Sequence, residues 1–168
     1  RRLDFSTAIP ILNHHVLIAY DPNDGSPEWL NFSWPGVVTV VQGINEHGTL
    51  VSLHDYQSFP ADVSAGRISR MVAARYALTY VLSDDISMHV NDVFAELQNY
   101  EIMTGGFINY YAPMGFGGVI NCSPTAAGPD FYRLRTPQSV WHHGEAMVTT
   151  NQDTNGRYTP SDEDIGVD

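Results

Sequence analysis

The chain has 168 residues, of which 43% are apolar, and a formal net charge of −11. This suits one folded domain, 1–168, with a real core, and it argues against disorder as the main state. The eight cationic residues are all Arg; a net negative field repels phosphate backbones, which argues against nucleic acid as a partner, and no apolar run reaches the roughly 18–20 residues of a membrane span.

Read in chain order, His14 to Tyr20 is a β-rich run. The polar turn Asp21-Pro22-Asn23-Asp24-Gly25 follows, and Trp29 to Ser33 returns as a second strand. Together they predict a hairpin with a long tip. Val37 to Gln42 is apolar and β-branched and predicts a buried strand. Gly43-Ile44-Asn45-Glu46-His47-Gly48 reads as a turn, and Thr49 to His54 leads out as another strand.

Two helices come next. In Ala65 to Leu82, residues Ile68, Met71, Val72, Leu78 and Leu82 fall on one stripe at helical spacing, with Ser64 placed to cap it. In the second helix Val90, Val93, Phe94 and Leu97 repeat the i, i+3, i+4, i+7 pattern, with Ser87 as its cap. Tyr100 to Pro113 carries no clear period, and Gly115 to Gly118 is a flexible break. A second hairpin follows, from Val119 to Ser123, through the turn Pro124 to Asp130, to Phe131 to Arg135. Ala146 to Thr150 is one more strand. The order is strands, two helices, then strands, which is not the alternation of a parallel sheet. It predicts an α+β fold of antiparallel sheets with helices on an outer face.

Three short segments carry the candidate chemistry: Arg1-Arg2-Leu3-Asp4-Phe5, Gly43-Ile44-Asn45-Glu46-His47-Gly48 and Val148-Thr149-Thr150-Asn151. Each sets a polar group beside a turn or at the mouth of an apolar strand. The first resembles the arginine-x-x-aspartate stretch of the choloylglycine hydrolase, penicillin acyltransferase and acid ceramidase group of N-terminal-nucleophile hydrolases. Trp34-Pro35-Gly36-Val37 and the Asn45 turn resemble that group's tryptophan–glycine strand and glycine–methionine–asparagine–glutamate turn. Val148 to Asn151 resembles its threonine–asparagine segment. The resemblance covers most of the chain and rests on the order and spacing of the segments.

The resemblance implies an αββα sandwich of two mainly antiparallel sheets, of which this chain is the middle, truncated at both ends. It implies hydrolysis or transfer of a linear amide through an N-terminal Cys and an acyl-enzyme intermediate, with that Cys upstream of Arg1. The free α-amine, which titrates near about 7.7–8.0, is then the general base. Asp4 would hold the amine and Arg1 would favour the thiolate, with Arg2 as the register alternative to Arg1. Asn45 and Asn151 would stabilise the oxyanion. The bland readings stand beside these: an Arg–Asp pair at a frayed terminus, a self-capping turn Asn, and a strand-end Asn. No cofactor is implied. The partner is a small-molecule acyl amide, with a homo-oligomer or a companion chain bearing the Cys as further expectations.

Among the aromatic residues, Trp34, Tyr56 and Phe116 are the candidate substrate-binding residues; Trp29, Tyr110 and Tyr111 could join them, or all could be ordinary core. Phe107 to Gly118, rich in Gly and aromatics, is a candidate lid or pocket wall. Cys122, the one cysteine, reads as a small buried hydrophobe rather than a nucleophile. The pairs His14-His15 and His142-His143 point to opposite faces if they lie in strands, and Asp153 to Tyr158 lacks the residues of a calcium loop, so metal is disfavoured. A Lys-free acidic surface slightly favours an extracytoplasmic or secreted setting. Two alternatives remain: a non-catalytic relative that binds acyl ligands or self-assembles, and a metal-dependent hydrolase.

Overall fold

The computed structural model describes residues 14–54, 66–79, 90–113, 117–124 and 132–136. Within them the chain builds one antiparallel sheet of seven strands in sequence order, a meander without crossovers. The strands are β1 (Val16–Tyr20), β2 (Trp29–Ser33), β3 (Gln42–Asn45), β4 (Leu50–His54), β5 (Gly106–Tyr111), β6 (Gly118–Cys122) and β7 (Tyr132–Arg135). Two helices, α1 (Arg70–Thr79) and α2 (Val90–Leu97), pack on one face. The fold is therefore α+β, as the order of elements predicts.

Strand register decides which side chains share a face, because alternate residues point opposite ways. Tyr20 pairs with Trp29 and Trp29 with Asn45; Asn31 pairs with Gly43, Gly43 with Val51 and Val51 with Tyr110. These residues face the helices. The core beneath the helices joins Trp29, Val51, Leu53, Ile108, Tyr110, Ile120 and Cys122 to Ala74, Leu78, Val93 and Leu97.

The other face carries a second set of registered partners. Ala19 pairs with Leu30, Leu30 with Ile44, Ile44 with Leu50, and Leu50 with Tyr111. Leu17 and Phe32 are partners on the same face. Leu17 is 57% exposed and Phe32 49%, so this end of the face is apolar and open. Farther along, Phe107 and Val119 on that face are buried.

The first helix differs from expectation in extent and in the stripe it buries: of Ile68, Met71, Val72 and Leu78 only Leu78 is fully buried. The first begins at Arg70 rather than Ala65. Ser69 caps it: its hydroxyl accepts from the Val72 N–H at 3.2 Å, while its carbonyl accepts from Ala73 at 3.0 Å. Ile68 instead makes a parallel bridge with Ile102. The buried stripe is Arg70, Ala73, Ala74, Ala77 and Leu78, largely small residues that let helix and sheet approach closely; Met71 is partly buried against the core. The second helix buries Val90, Val93 and Leu97, with Phe94 partly buried against the core, as its period predicts. Ser64, Leu82, Ser87 and the strand Ala146 to Thr150 lie outside the described residues.

Two strand expectations are corrected. Val37 to Val41 is not a regular strand; β3 starts at Gln42 and takes in Gly43, Ile44 and Asn45, which read as turn. The main-chain groups before β3 bond elsewhere: Thr39 O accepts from Asn31 Nδ2 at 2.9 Å, and Val40 N donates to Met71 O at 3.4 Å. Tyr100 to Pro113 contains β5, an interior strand between β4 and β6. Phe107 to Tyr111 is thus sheet and not a lid.

Candidate functional site

The Asn45 turn closes the β3–β4 hairpin. Asn45 N donates to Thr49 O at 3.0 Å, and Gly48 N donates to Asn45 O at 3.0 Å. The Asn45 side chain then completes the turn from within. Its Oδ1 accepts from His47 N at 3.1 Å and from Thr49 N at 2.9 Å. Its Nδ2 donates to Leu78 O at 2.9 Å, which reaches across to the last turn of α1. Asn45 is only 8% exposed; the bonds to Leu78 O and Thr49 N are buried and that from His47 N is half-buried, and together they hold the carboxamide in one orientation.

The flanking strand end is tied in as well. Glu46 N donates to Glu28 O at 2.9 Å, and Glu46 Oε1 accepts from Glu28 N at 3.0 Å. The main-chain N–H groups of residues 45 to 49 are therefore all engaged. One carboxamide hydrogen of Asn45 has no partner among the described residues.

Asn45 lines a cleft of about 280 Å³ together with Ala19, Tyr20, Glu28, Trp29, Leu30, Ile44 and Glu46. Ala19, Leu30 and Ile44 belong to the open apolar face; Tyr20, Trp29 and Asn45 belong to the helix-facing side. The cleft thus wraps the end of β1, β2 and β3. Its aromatic wall is built: Tyr20 stacks on Trp29 with centroids 3.9 Å apart and planes within 6°, and Arg75 lies 5.6 Å from the Trp29 centroid. His47 Nε2 stands 4.0 Å from Glu46 Oε1.

Of the seven candidate catalytic and substrate-binding residues, Asn45 and Trp34 are described. Trp34 is buried at the end of β2, its ring 5.4 Å from that of His15. It does not line the Asn45 cleft. Arg1, Asp4, Tyr56, Phe116 and Asn151 lie outside the described residues. Tyr110 is buried in the core, while Tyr111 is exposed on the open face.

Cys122 is fully buried on the helix-facing side of β6, and burial pushes its thiol up to about 12, with the nearby Arg70 opposing that shift. A thiol so placed is a core residue, not a nucleophile. Among the described residues no three His, Cys, Asp or Glu side chains gather to hold a metal ion, and no helix is long and apolar enough to cross a membrane. Tyr20 and Glu28, which share the cleft with Asn45, carry no pattern in the sequence; only the register of β1, β2 and β3 brings them beside Asn45 and Glu46.

No protein-family model matches the chain, and no curated protein does either.

Proposed function

We infer that the chain is part of a cysteine N-terminal-nucleophile enzyme that hydrolyses or transfers a linear amide. The observation that carries this is Asn45: a buried carboxamide held by three hydrogen bonds at a cleft, with one hydrogen left to donate. A preorganised carboxamide donor of this kind, where it meets developing negative charge, is worth about 3–4 kcal/mol of transition-state stabilisation in acyl transfer. Its motif stands in family order with Arg1 and Asp4 before it and Asn151 after it.

In this reading an upstream Cys attacks the amide carbonyl. Its own α-amine takes the thiol proton, Asp4 orients that amine and Arg1 favours the thiolate. Asn45 and Asn151 stabilise the tetrahedral oxyanion. The amine leaving group departs with a proton returned from the α-ammonium, and water or a second amine then takes the acyl group from the thioester.

The test is a panel of acyl amides offered to the full-length natural protein. Thiol-dependent turnover that is lost on substitution of the terminal Cys supports the reading. Turnover that survives that substitution contradicts it. The exposed apolar face also favours a second reading, a non-catalytic relative that assembles through it; sedimentation equilibrium of the natural protein separates a closed sandwich monomer from an assembly.

A further inference from the structure

The cleft beside Asn45 joins two surfaces of opposite character. One wall is apolar: Ala19, Leu30 and Ile44, the start of the registered row that continues to Leu50 and Tyr111. Four strand-to-strand steps of about 4.8 Å make this row about 19 Å long, enough for an extended aliphatic chain. The rim is acidic: Glu28 and Glu46, both exposed, with the Glu46 carboxylate held in place by the Glu28 N–H. Among the cleft residues there is no Lys, Arg or His. Close by, the His47 ring stands beside Glu46 and the Arg75 guanidinium lies over Trp29.

We propose that this cleft binds an alkylammonium group, its aliphatic part lying on the Ala19–Leu30–Ile44 row and its positive head meeting Glu28 and Glu46. Charge complementarity selects the occupant. An aliphatic carboxylate would fit the same wall but would bring a negative head to two carboxylates in a chain of net charge −11. Calling this ligand a substrate, an acyl amide bearing an ammonium group near the scissile bond, rests on the amidase reading; the binding itself does not.

The experiment compares n-octylamine with octanoate, the same chain with opposite heads. Binding is read by calorimetry and by Trp fluorescence at low salt and about pH 8, where histidine is ordinarily neutral and a primary amine charged. Octylammonium should bind at least about tenfold tighter than octanoate. The E28Q/E46Q protein should bring the two within about twofold. In that protein the new carboxamide at position 46 keeps an acceptor for the main-chain N–H of residue 28 while losing the charge. E28Q alone, at a residue whose main chain makes the structural bonds, should already reduce the preference if the double variant misfolds.

Equal binding of the two probes overturns the proposal, as does no binding of octylamine by the folded protein. So does a preference that survives E28Q/E46Q, because that protein still carries −9 (−11 plus 2) and would show bulk attraction only. No turnover is read. Octylammonium binding without acyl-amide turnover sinks the amidase reading alone.

Discussion

The carboxamide of Asn45 donates to the main-chain carbonyl of Leu78 across 2.9 Å, so the end of β3 is bolted to the end of α1. The same side chain organises the hairpin turn, which makes Asn45 a joint between sheet, turn and helix. Asn45→Ala removes three hydrogen bonds, two of them buried. At about 1 kcal/mol each, the loss should be roughly 2–4 kcal/mol of stability. Asn45→Asp should be no better, since a carboxylate cannot donate to Leu78 O. Urea unfolding of both variants checks this, and an unchanged midpoint would mean that the joint carries no weight.

Gly43 is the close-approach point between sheet and helix. A Cβ there would lie 2.7 Å from Leu78 Cδ2 and 3.0 Å from Leu30 O. Leu78 can rotate away, but the carbonyl cannot. Gly43→Ala should cost about 1–3 kcal/mol by overpacking. Leu78→Ala should cost about 2–5 kcal/mol alone. The double variant should lose less than the sum, because the smaller side chain relieves part of the clash; strict additivity would show that Leu78 is not the obstacle.

Gly106 sits at φ 129°, where L side chains rarely go, and an added Cβ would collide with the Arg70 guanidinium and approach His54 O at 2.6 Å. That guanidinium is buried, which lowers its affinity for a proton, and it donates to Gly105 O. Gly106→Ala should therefore destabilise by more than about 1 kcal/mol. Thermal unfolding of G106A that matches the parent would remove this strand start from the list of constraints.

Alkaline stability follows from three buried acids. The Cys122 thiol is pushed up to about 12 from 9.0 and the Tyr110 phenol to about 12 from 10.0, both chiefly by burial; Tyr132 is raised as well, again by burial. In each case the folded state holds its proton over a range where the unfolded chain has lost it. Stability should thus fall as pH rises, starting near the unfolded thiol value of about 9 and steepening above about 10. Cys122→Ala should postpone the onset towards the tyrosine range, at some cost in packing. Chemical denaturation between about pH 7 and 10.5 reads the slope, and a flat profile for the parent protein would show that these groups titrate alike in both states.

The parts legible in the sequence are those governed by local pattern. The alternation in Val16–Tyr20 and Trp29–Ser33, separated by Asp21 to Gly25, specifies a hairpin without outside help. Val90, Val93, Phe94 and Leu97 specify α2 in the same way. The strand Gly106–Tyr111 is hidden because it is covered on both faces: Phe107 on one side and Ile108 on the other are both buried, so no alternation shows. The start of β3 is displaced because side-chain and helix groups, Asn31 Nδ2 and Met71 O, claim the main chain of Thr39 and Val40. No local propensity encodes such long-range bonds. The site divides likewise. Asn45 stands out by its turn, whereas Glu28 and Tyr20 become neighbours of Asn45 only through strand register.

The central claim is that Asn45 serves a nucleophile lying upstream of Arg1. Intact-mass and N-terminal sequencing of the natural protein, as isolated, tests it most directly. A mature chain whose first residue is Cys, followed downstream by Arg1 to Asp4, is the expected result. A mature chain beginning at Arg1, with no companion chain bearing a terminal Cys, would contradict it and leave the Asn45 cleft as a binding site alone.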